Sequence, residues 1–418
     1  MLFRNAPWVL LLVVAFLVLV VYISDDQPPA AHPNTAALRG HERSPKASAE
    51  VTAGRTGYPT LRPNPLVVGK NKTRLKTILF WNEFYGSYST YDFGYGHEAF
   101  VDNQCKVSTC FATKDRTILP VEQYDAIIIH IRGLPNDWPA KRTVKQRYVM
   151  LSIEPPIYLF EYRHLERLHF NWTMTYRLDS DFPIPYAWID RVSALPAPLD
   201  SSLLQRYIVK FGKRAAASES TNLAENKLGL AVQFVSNCHS SSHREHYVRE
   251  LKKYAPVDVY GKCGEFKCPK EKSWECYKMA ESKYKFYLSF EDSMCKDYAT
   301  EKFFTMYSLD MVPVVLGGAN YSQFAPPHSF INAADFETPK ALAHYLKLLD
   351  SDDAKFNEFF WWKDHYRRRF HHHRSLCDLC ERLHEDAEPK TYPDMQDWWV
   401  KQAQCTHAFK GSSSADYY

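Results

Sequence analysis

The sequence contains no Walker loop, no GxGxxG after a strand and no internal repeat. The first two absences remove the glycine-rich loops that cradle phosphates with backbone amides. "GGAN" (317–320) is too short to replace them. Phosphate, if bound, must be held by charged side chains and helix ends. The missing repeat excludes a solenoid or propeller. A surplus of one charge is absent too. The 52 Lys and Arg against 48 Asp and Glu leave a net charge of +4. That balance demands neither nucleic acid nor a membrane surface as partner.

What is present is length and apolar mass. The 418 residues, 45% of them hydrophobic, exceed one ordinary core and suit about two or three domains. Residues 7–23, "PWVLLLVVAFLVLVVYI", form an uncharged run of 17, the short end of a bilayer span. Arg4 precedes it, and Asp25 and Asp26 follow. That order keeps residues 1–6 cytosolic and sends the rest into a lumen. A cleaved signal peptide would have a shorter apolar region and a small-residue site, and "YISDDQPP" is a poor one. We read 7–23 as a retained signal anchor. Residues 24–76 are rich in Pro, Ala, Ser, Thr and charge, and read as a disordered stem. The layout is that of a single-pass type II membrane protein.

Ten cysteines fit an oxidising lumen, where an even count mostly means disulfides. Sequons at Asn71, Asn171 and Asn320 agree with that address as N-glycosylation candidates, although such triplets arise often by chance.

Strands are expected at "TILFWN" (77–82), "YDAIIIHI" (124–131), "RYVMLSIEPP" (147–156) and "NWTMTYRLDSD" (171–181). Continuous apolar strands spaced by polar, helix-length segments suggest a parallel sheet covered on both faces. The regular pattern lapses over 190–226, which reads as an inter-domain connection. It resumes with strands at 228–237, 257–261, 285–292 and 313–318. Helices are expected at 243–254, at 300–312 closed by Pro313, at 338–350 behind a Thr338 cap, and at 356–370. The α/β order implies two doubly wound units, 77–215 and 226–386, followed by a tail over 387–418.

Four stretches carry chemistry. In "KDYATEK" (296–302), Lys302 sits in a helix's first turn, which is unfavourable unless an anion is present. Glu301 beside it can accept two hydrogen bonds from a vicinal diol, so the pair suits a nucleotide-sugar; the bland reading is a capped, solvated helix start. Glu154 ends a strand at the carboxyl edge of its sheet, where a fixed carboxylate can act as a base, or simply face solvent. Asp179-Ser-Asp181 has the DxD form of metal-dependent glycosyltransferases, but a lone DxD is too common to assign a metal. "RRRFHHHRSLCDLC" (367–380) could hold zinc, but a lumen favours disulfides over thiolates, and the basic run reads as a solvated helix end. No metal is assigned.

The stretch "FYLSFEDSMCKDYATEKFFTMYSLDMVPVVLGG" (286–318) resembles the signature of the α1,3/4-fucosyltransferases, glycosyltransferase family ten. That signature runs FYLSFENS, DYxTEK and VPVVxG. "NWTMTYRLDSDFPIPY", "VSN" (235–237) followed by Arg244, and "CDLC" extend the resemblance over about residues 77–385. The anchor and stem are similar to those of Golgi members. The resemblance implies the GT-B fold, two Rossmann-like domains facing a cleft. The N-terminal domain would hold the acceptor glycan and the C-terminal one GDP-fucose. It implies Arg177, Arg244, Tyr298, Glu301 and Lys302 as donor-binding residues, with Arg244 and Lys302 on the pyrophosphate. It implies Glu154 as catalytic base in an inverting displacement that moves fucose to O3 of a GlcNAc residue. No cofactor is then required; manganese can stimulate such enzymes, while no residue here commits to binding it. It also implies bridges from Cys377 and Cys380 to Cys105 and Cys110, in an order left open, with Cys238, Cys263, Cys268 and Cys276 paired within the second domain.

The chain departs from the family pattern at Asp292, usually Asn, and at Leu178, often Arg. Its aromatic stretch 81–100 looks closer to invertebrate members. These departures leave the acceptor open among core GlcNAc, antennal lactosamine and glycolipid, and homodimerisation through the anchor and stem is open as well. A lectin-like relative that only binds glycans, or a transferase using another nucleotide-sugar, is the competing reading. Glu154, Arg244, Glu301 and Lys302 occurring together argue against an inactive relative.

Overall fold

The fold is described from a computed structural model. It covers residues 66–68, 73–84, 93–132, 137–158, 165, 169–193, 201–218, 221–370, 372–385 and 390–406. The expected anchor 7–23, the stem up to residue 65, Asn71 and the end of the tail lie outside the described residues. Among the described residues no helix is long and apolar enough to cross a membrane.

A short antiparallel pair, β1 (Val67–Val68) and β2 (Thr73–Arg74), leads into the first sheet. That sheet comprises β3 (Lys76–Phe80), β4 (Cys110–Thr113), β5 (Ala126–His130), β6 (Arg147–Ser152) and β7 (Trp172–Thr175). All pairs are parallel, and the order is β4-β3-β5-β6-β7. β5, β6 and β7 are buried along their whole length, as their unbroken apolar runs require. After β8 (Trp188–Arg191) the chain builds a second sheet. It holds β9 (Gly229–Phe234), β10 (Val257–Tyr260), β11 (Tyr284–Phe290), β12 (Val312–Leu316) and β13 (Ile331–Asn332). Its order, β10-β9-β11-β12-β13, repeats that of the first sheet, and it too is parallel. Each sheet therefore reverses its winding once, between β3 and β5 and between β9 and β11. Open α/β sheets hold ligands outside the carboxyl ends of their strands at such points.

Several elements differ from expectation. The segment expected as a connection contains a helix, Ser201–Ala216, of 16 residues. Its Ile208 and Ala215 are buried, and Gly212 lets it lie against the helix Asp353–Glu358: a Cβ there would stand 2.3 Å from the Ala354 carbonyl oxygen. The helix expected over 300–312 is only Glu301–Phe304 followed by a 3-10 turn, Thr305–Ser308. Pro313 lies inside β12 instead of closing the helix, before β13 joins that strand at Val314. The helix expected over 356–370 also breaks up. Trp361 and Trp362 bury in a 3-10 turn, and Tyr366–Arg369 becomes β14, antiparallel to β8. The arginine run is thus a strand and not a helix end. The expected cap at Thr338 is present, its side chain accepting the Ala341 amide at 3.2 Å.

The second unit, read as 226–386, does not stay on its own sheet. The helix His372–Glu385 crosses back, and its Leu376, Leu379 and Leu383 pack with Ile78, Val149 and Trp172 of the first. Two disulfides fasten it there, Cys105–Cys377 and Cys110–Cys380, which gives the order the sequence left open. Cys238–Cys263 and Cys268–Cys276 lie within the second unit. A fifth bridge, Cys295–Cys405, was not foreseen and ties the loop after β11 to the C-terminal segment.

Candidate active site

The loops at the carboxyl ends of β5, β6, β9 and β11 carry the charged residues that meet between the two sheets. Arg244 opens the helix Arg244–Lys252, which follows β9. Its Nη1 donates to the carbonyl of Phe290, the last residue of β11, at 2.7 Å, and its Nη2 reaches the Asn237 carbonyl at 3.5 Å. The guanidinium thus bridges the two strands where the second sheet reverses. It is buried, and its Nε has no partner among the described residues.

Glu291 follows β11 and is wholly buried. It accepts the Thr300 amide at 2.8 Å, the Thr300 hydroxyl at 2.9 Å and the Lys302 ammonium at 3.2 Å. Lys302 also donates to the Thr300 hydroxyl oxygen at 3.0 Å and lies 3.6 Å from Glu301. Burial works against the ammonium's charge, but Glu291, Glu301 and Asp292 outweigh it and hold Lys302 well above the ordinary lysine range. Burial pushes the Glu291 carboxyl up, and Lys302 pulls it back. Glu301 is more open, its side chain 38% exposed.

Glu154 follows β6, its turn fixed by Ser152 donating to its carbonyl at 2.9 Å. Oε1 lies 3.4 Å from Arg132, and Oε2 accepts from the Tyr298 hydroxyl at 3.3 Å. Burial raises its pKa to about 7; Arg132 and Lys302 oppose the rise, and Asp292 and Glu301 add to it. A carboxylate that feels Arg132 from one unit and Lys302, Asp292 and Glu301 from the other sits at their junction. A carboxylate that is largely covered, its side chain 16% exposed, and that titrates near neutrality is suited to take a proton.

Four of the expected residues, Glu154, Arg244, Glu301 and Lys302, therefore gather at this junction. Tyr298 is there too, but its hydroxyl turns to Glu154. Arg177 does not face the cleft. It is fully buried in a fork with Asp179, at 2.9 and 2.6 Å, and donates to the Trp398 carbonyl while lying 4.2 Å over that indole. The block that contains it fixes the C-terminal segment. Burial opposes the charge on Asp179, but hydrogen bonds from Arg177 and Lys296 hold its carboxyl below the usual range. Asp181 is engaged by Thr173, Lys390 and Tyr392. The DxD carboxylates thus serve internal cations and hydroxyls.

Asn171 is corrected as a glycosylation candidate. It is 2% exposed, and its amide donates to the Lys390 carbonyl while its oxygen accepts the Tyr148 amide, both at 2.8 Å. Asn320 is exposed. Among the described residues two groups of three donors lie close enough to share an ion. Cys110 and Cys380 of the first are spent on each other. His243, Glu245 and His246 of the second sit at a helix start, where the dipole opposes a cation. Arg132, Glu291 and Asp292 carry the site electrostatically without having been assigned to it from sequence. Their one common signal is position, within two residues of a strand's carboxyl end.

Two parallel α/β units thus meet across a cluster of charged side chains, Arg132 and Glu154 from one and Arg244, Glu291, Glu301 and Lys302 from the other. Comparison with known proteins supplies the family. Residues 224–398 match the model of "Glycosyltransferase family 10 (fucosyltransferase) C-term", and 73–187 that of "Fucosyltransferase, N-terminal". Alpha-(1,3)-fucosyltransferase C of Drosophila melanogaster is 36% identical over 78% of this chain and 77% of its own length. The human 3-galactosyl-N-acetylglucosaminide 4-alpha-L-fucosyltransferase is 35% identical over 70% of this chain and 75% of its own. A solved alpha1,3-fucosyltransferase with GDP-fucose aligns over 83% of this chain and 96% of its own, at 15% identity and a TM-score of 0.47. At that distance it adds nothing to the assignment. The chain belongs to glycosyltransferase family 10, the fucosyltransferases. It is a glycosyltransferase, and hence an enzyme.

Proposed function

We propose that this enzyme transfers L-fucose, with inversion, from GDP-β-L-fucose to O3 of a GlcNAc residue on N-glycans or related glycoconjugates. The observation that carries the reading is the place of Glu154: its largely covered carboxylate, 16% exposed, sits between Arg132 and the Tyr298 hydroxyl at the charged ends of the opposite strands, and this burial raises its pKa to about 7. GDP-fucose would lie over β9 and β11 in the GT-B manner, its diphosphate met by Arg244 and Lys302 and its hydroxyls by Glu301. Ionised Glu154 takes the O3 proton as O3 bonds to C1 of fucose. The bond from C1 to the diphosphate oxygen breaks with its electron pair, and GDP leaves. Positive charge grows on the sugar ring, as in glycosidases, and negative charge on the leaving group. Preorganised cations stabilise the latter, so no metal is required. The apolar run 7–23 would anchor the chain as a single-pass type II protein of the Golgi membrane, with the enzyme lumenal.

The test is transfer from GDP-fucose by the full chain in detergent, with core chitobiose, lactosamine and GlcNAc-terminated acceptors offered side by side. Transfer is expected, with GDP-mannose inert, and undiminished in EDTA. Transfer from another nucleotide-sugar instead, or donor binding with no transfer to any acceptor, would overturn the reading.

A further inference from the structure

Glu154 has two oxygens and two different neighbours. Arg132, from the end of β5, faces Oε1 at 3.4 Å, and the Tyr298 hydroxyl donates to Oε2 at 3.3 Å. Tyr298 comes from the other sheet, on the loop between β11 and the helix Glu301–Phe304. Its residue is only 2% exposed, so the hydroxyl cannot turn outward to water. The ring is locked edge-on against Tyr176 at 5.1 Å and Tyr186 at 6.2 Å, and Tyr176 is packed in turn on Trp399.

The loop that delivers this ring is held from three sides. Asp297 takes the left-handed conformation, φ 61°, and its carboxylate accepts the Leu178 amide of the first unit at 3.1 Å. The Lys296 amide donates to the Ala403 carbonyl at 2.8 Å, and its ammonium pairs with Asp179 at 3.0 Å. Cys295 is bonded to Cys405. A left-handed aspartate persists where its surroundings over-determine it. Here they place one phenol against one carboxylate across the junction of the two units.

We propose that Tyr298 is a positioning residue for the base: its hydroxyl holds Glu154 ionised and occupies Oε2, leaving Oε1 to take the acceptor's proton. The inference rests on Glu154 being the base. A hydrogen bond donated to a carboxylate favours its charged form. Burial disfavours that form, as do the facing charges of Asp292 and Glu301, while Arg132 and Lys302 favour it; the Tyr158 phenol completes the surroundings. The Tyr298 bond adds to the favourable side and fixes the direction of the free lone pair. It also makes the base depend on the donor-side loop, since that loop supplies the hydroxyl.

The test compares Tyr298→Phe with the unchanged chain, full length in detergent, across pH 5 to 9. Phe keeps the ring and its packing, and a thermal scan checks the fold. The acid limb of kcat/KM for the acceptor is expected to move about one unit to higher pH, with a loss of about tenfold below the limb and near-recovery at about pH 9. KM for GDP-fucose stays unchanged. A second variant carries 3-fluorotyrosine at 298, a stronger donor that should move the limb the other way. An unmoved limb in both variants, or a raised donor KM as the main effect, overturns the proposal; so does a 3-fluorotyrosine limb that moves with that of Phe. Should Glu154→Gln keep full transfer, the base assignment fails first, and that failure is read separately from the Tyr298 series.

Discussion

Glu154→Gln is expected to lower the rate of transfer about a thousandfold at neutral pH, in the range that loss of a general base produces. GDP binding, followed by calorimetry, should be unchanged. Gln keeps the shape of the side chain, and its oxygen can still accept from Tyr298. What it cannot do is take a proton. In the unchanged enzyme the acid limb of kcat/KM should fall near the pKa of about 7, each unit below it removing tenfold of the ionised base. Stability should move the opposite way. The folded pKa of Glu154 is raised, so its ionisation opposes folding increasingly from its unfolded value of about 4 up to about 7. The Gln variant should therefore melt at or above the temperature of the parent at pH 8. An active site that weakens the fold it sits in is the expected trade of catalysis against stability. Loss of GDP binding together with transfer would show instead that Glu154 supports the donor site.

The sheets were largely legible because their strands are long and apolar. "YDAIIIHI" and "KFYLSFED" admit little but buried strands, and they are β5 and β11. β4 escaped notice because "CFAT" is four residues with polar neighbours, and pairing with β3 is what makes it a strand. The helix Ser201–Ala216 was hidden by a polar sequence whose apolar positions make sense only against Trp361 and the helix Asp353–Glu358. The arginine strand β14 shows tertiary pairing with β8 overriding helix propensity. Of the site, Glu154, Glu301 and Lys302 were readable from their place at strand and helix ends. Arg177 and Arg244 came from resemblance alone, and the structure separates them. One bridges β9 and β11; the other clamps Trp398. Which way an arginine points is decided by partners far along the chain. For the same reason no spacing could reveal the bond between residues 154 and 298.

Lys302→Met is expected to destabilise the protein by about 3 kcal/mol, because it leaves a wholly buried carboxylate without its counter-ion. Glu291 is fully buried, and Lys302 is its one cation within hydrogen-bond reach among the described residues. Thr300 still donates to it, which satisfies geometry but not charge. The Glu291 carboxyl would then rise further above its unfolded pKa. A carboxyl raised in the fold loses stability as pH climbs from about 4 through the folded value, so the variant should be hurt more at pH 8 than at pH 5. Adding Glu291→Gln removes the orphaned charge while keeping an acceptor for the Thr300 amide. The double variant should regain at least about 1 kcal/mol over the single one, and its dependence on pH should flatten. Neither variant is expected to bind GDP as the parent does, since on the proposed reading both lack one of the two cations that meet the diphosphate. Chemical unfolding of the three variants at the two pH values, beside GDP titrations, measures all of this. A double variant no better than Lys302→Met would mean that the orphaned charge is not what the single substitution costs. A double variant that binds GDP as the parent does would remove Lys302 from the donor site and leave Arg244, with its buried Nε, to meet the phosphates alone.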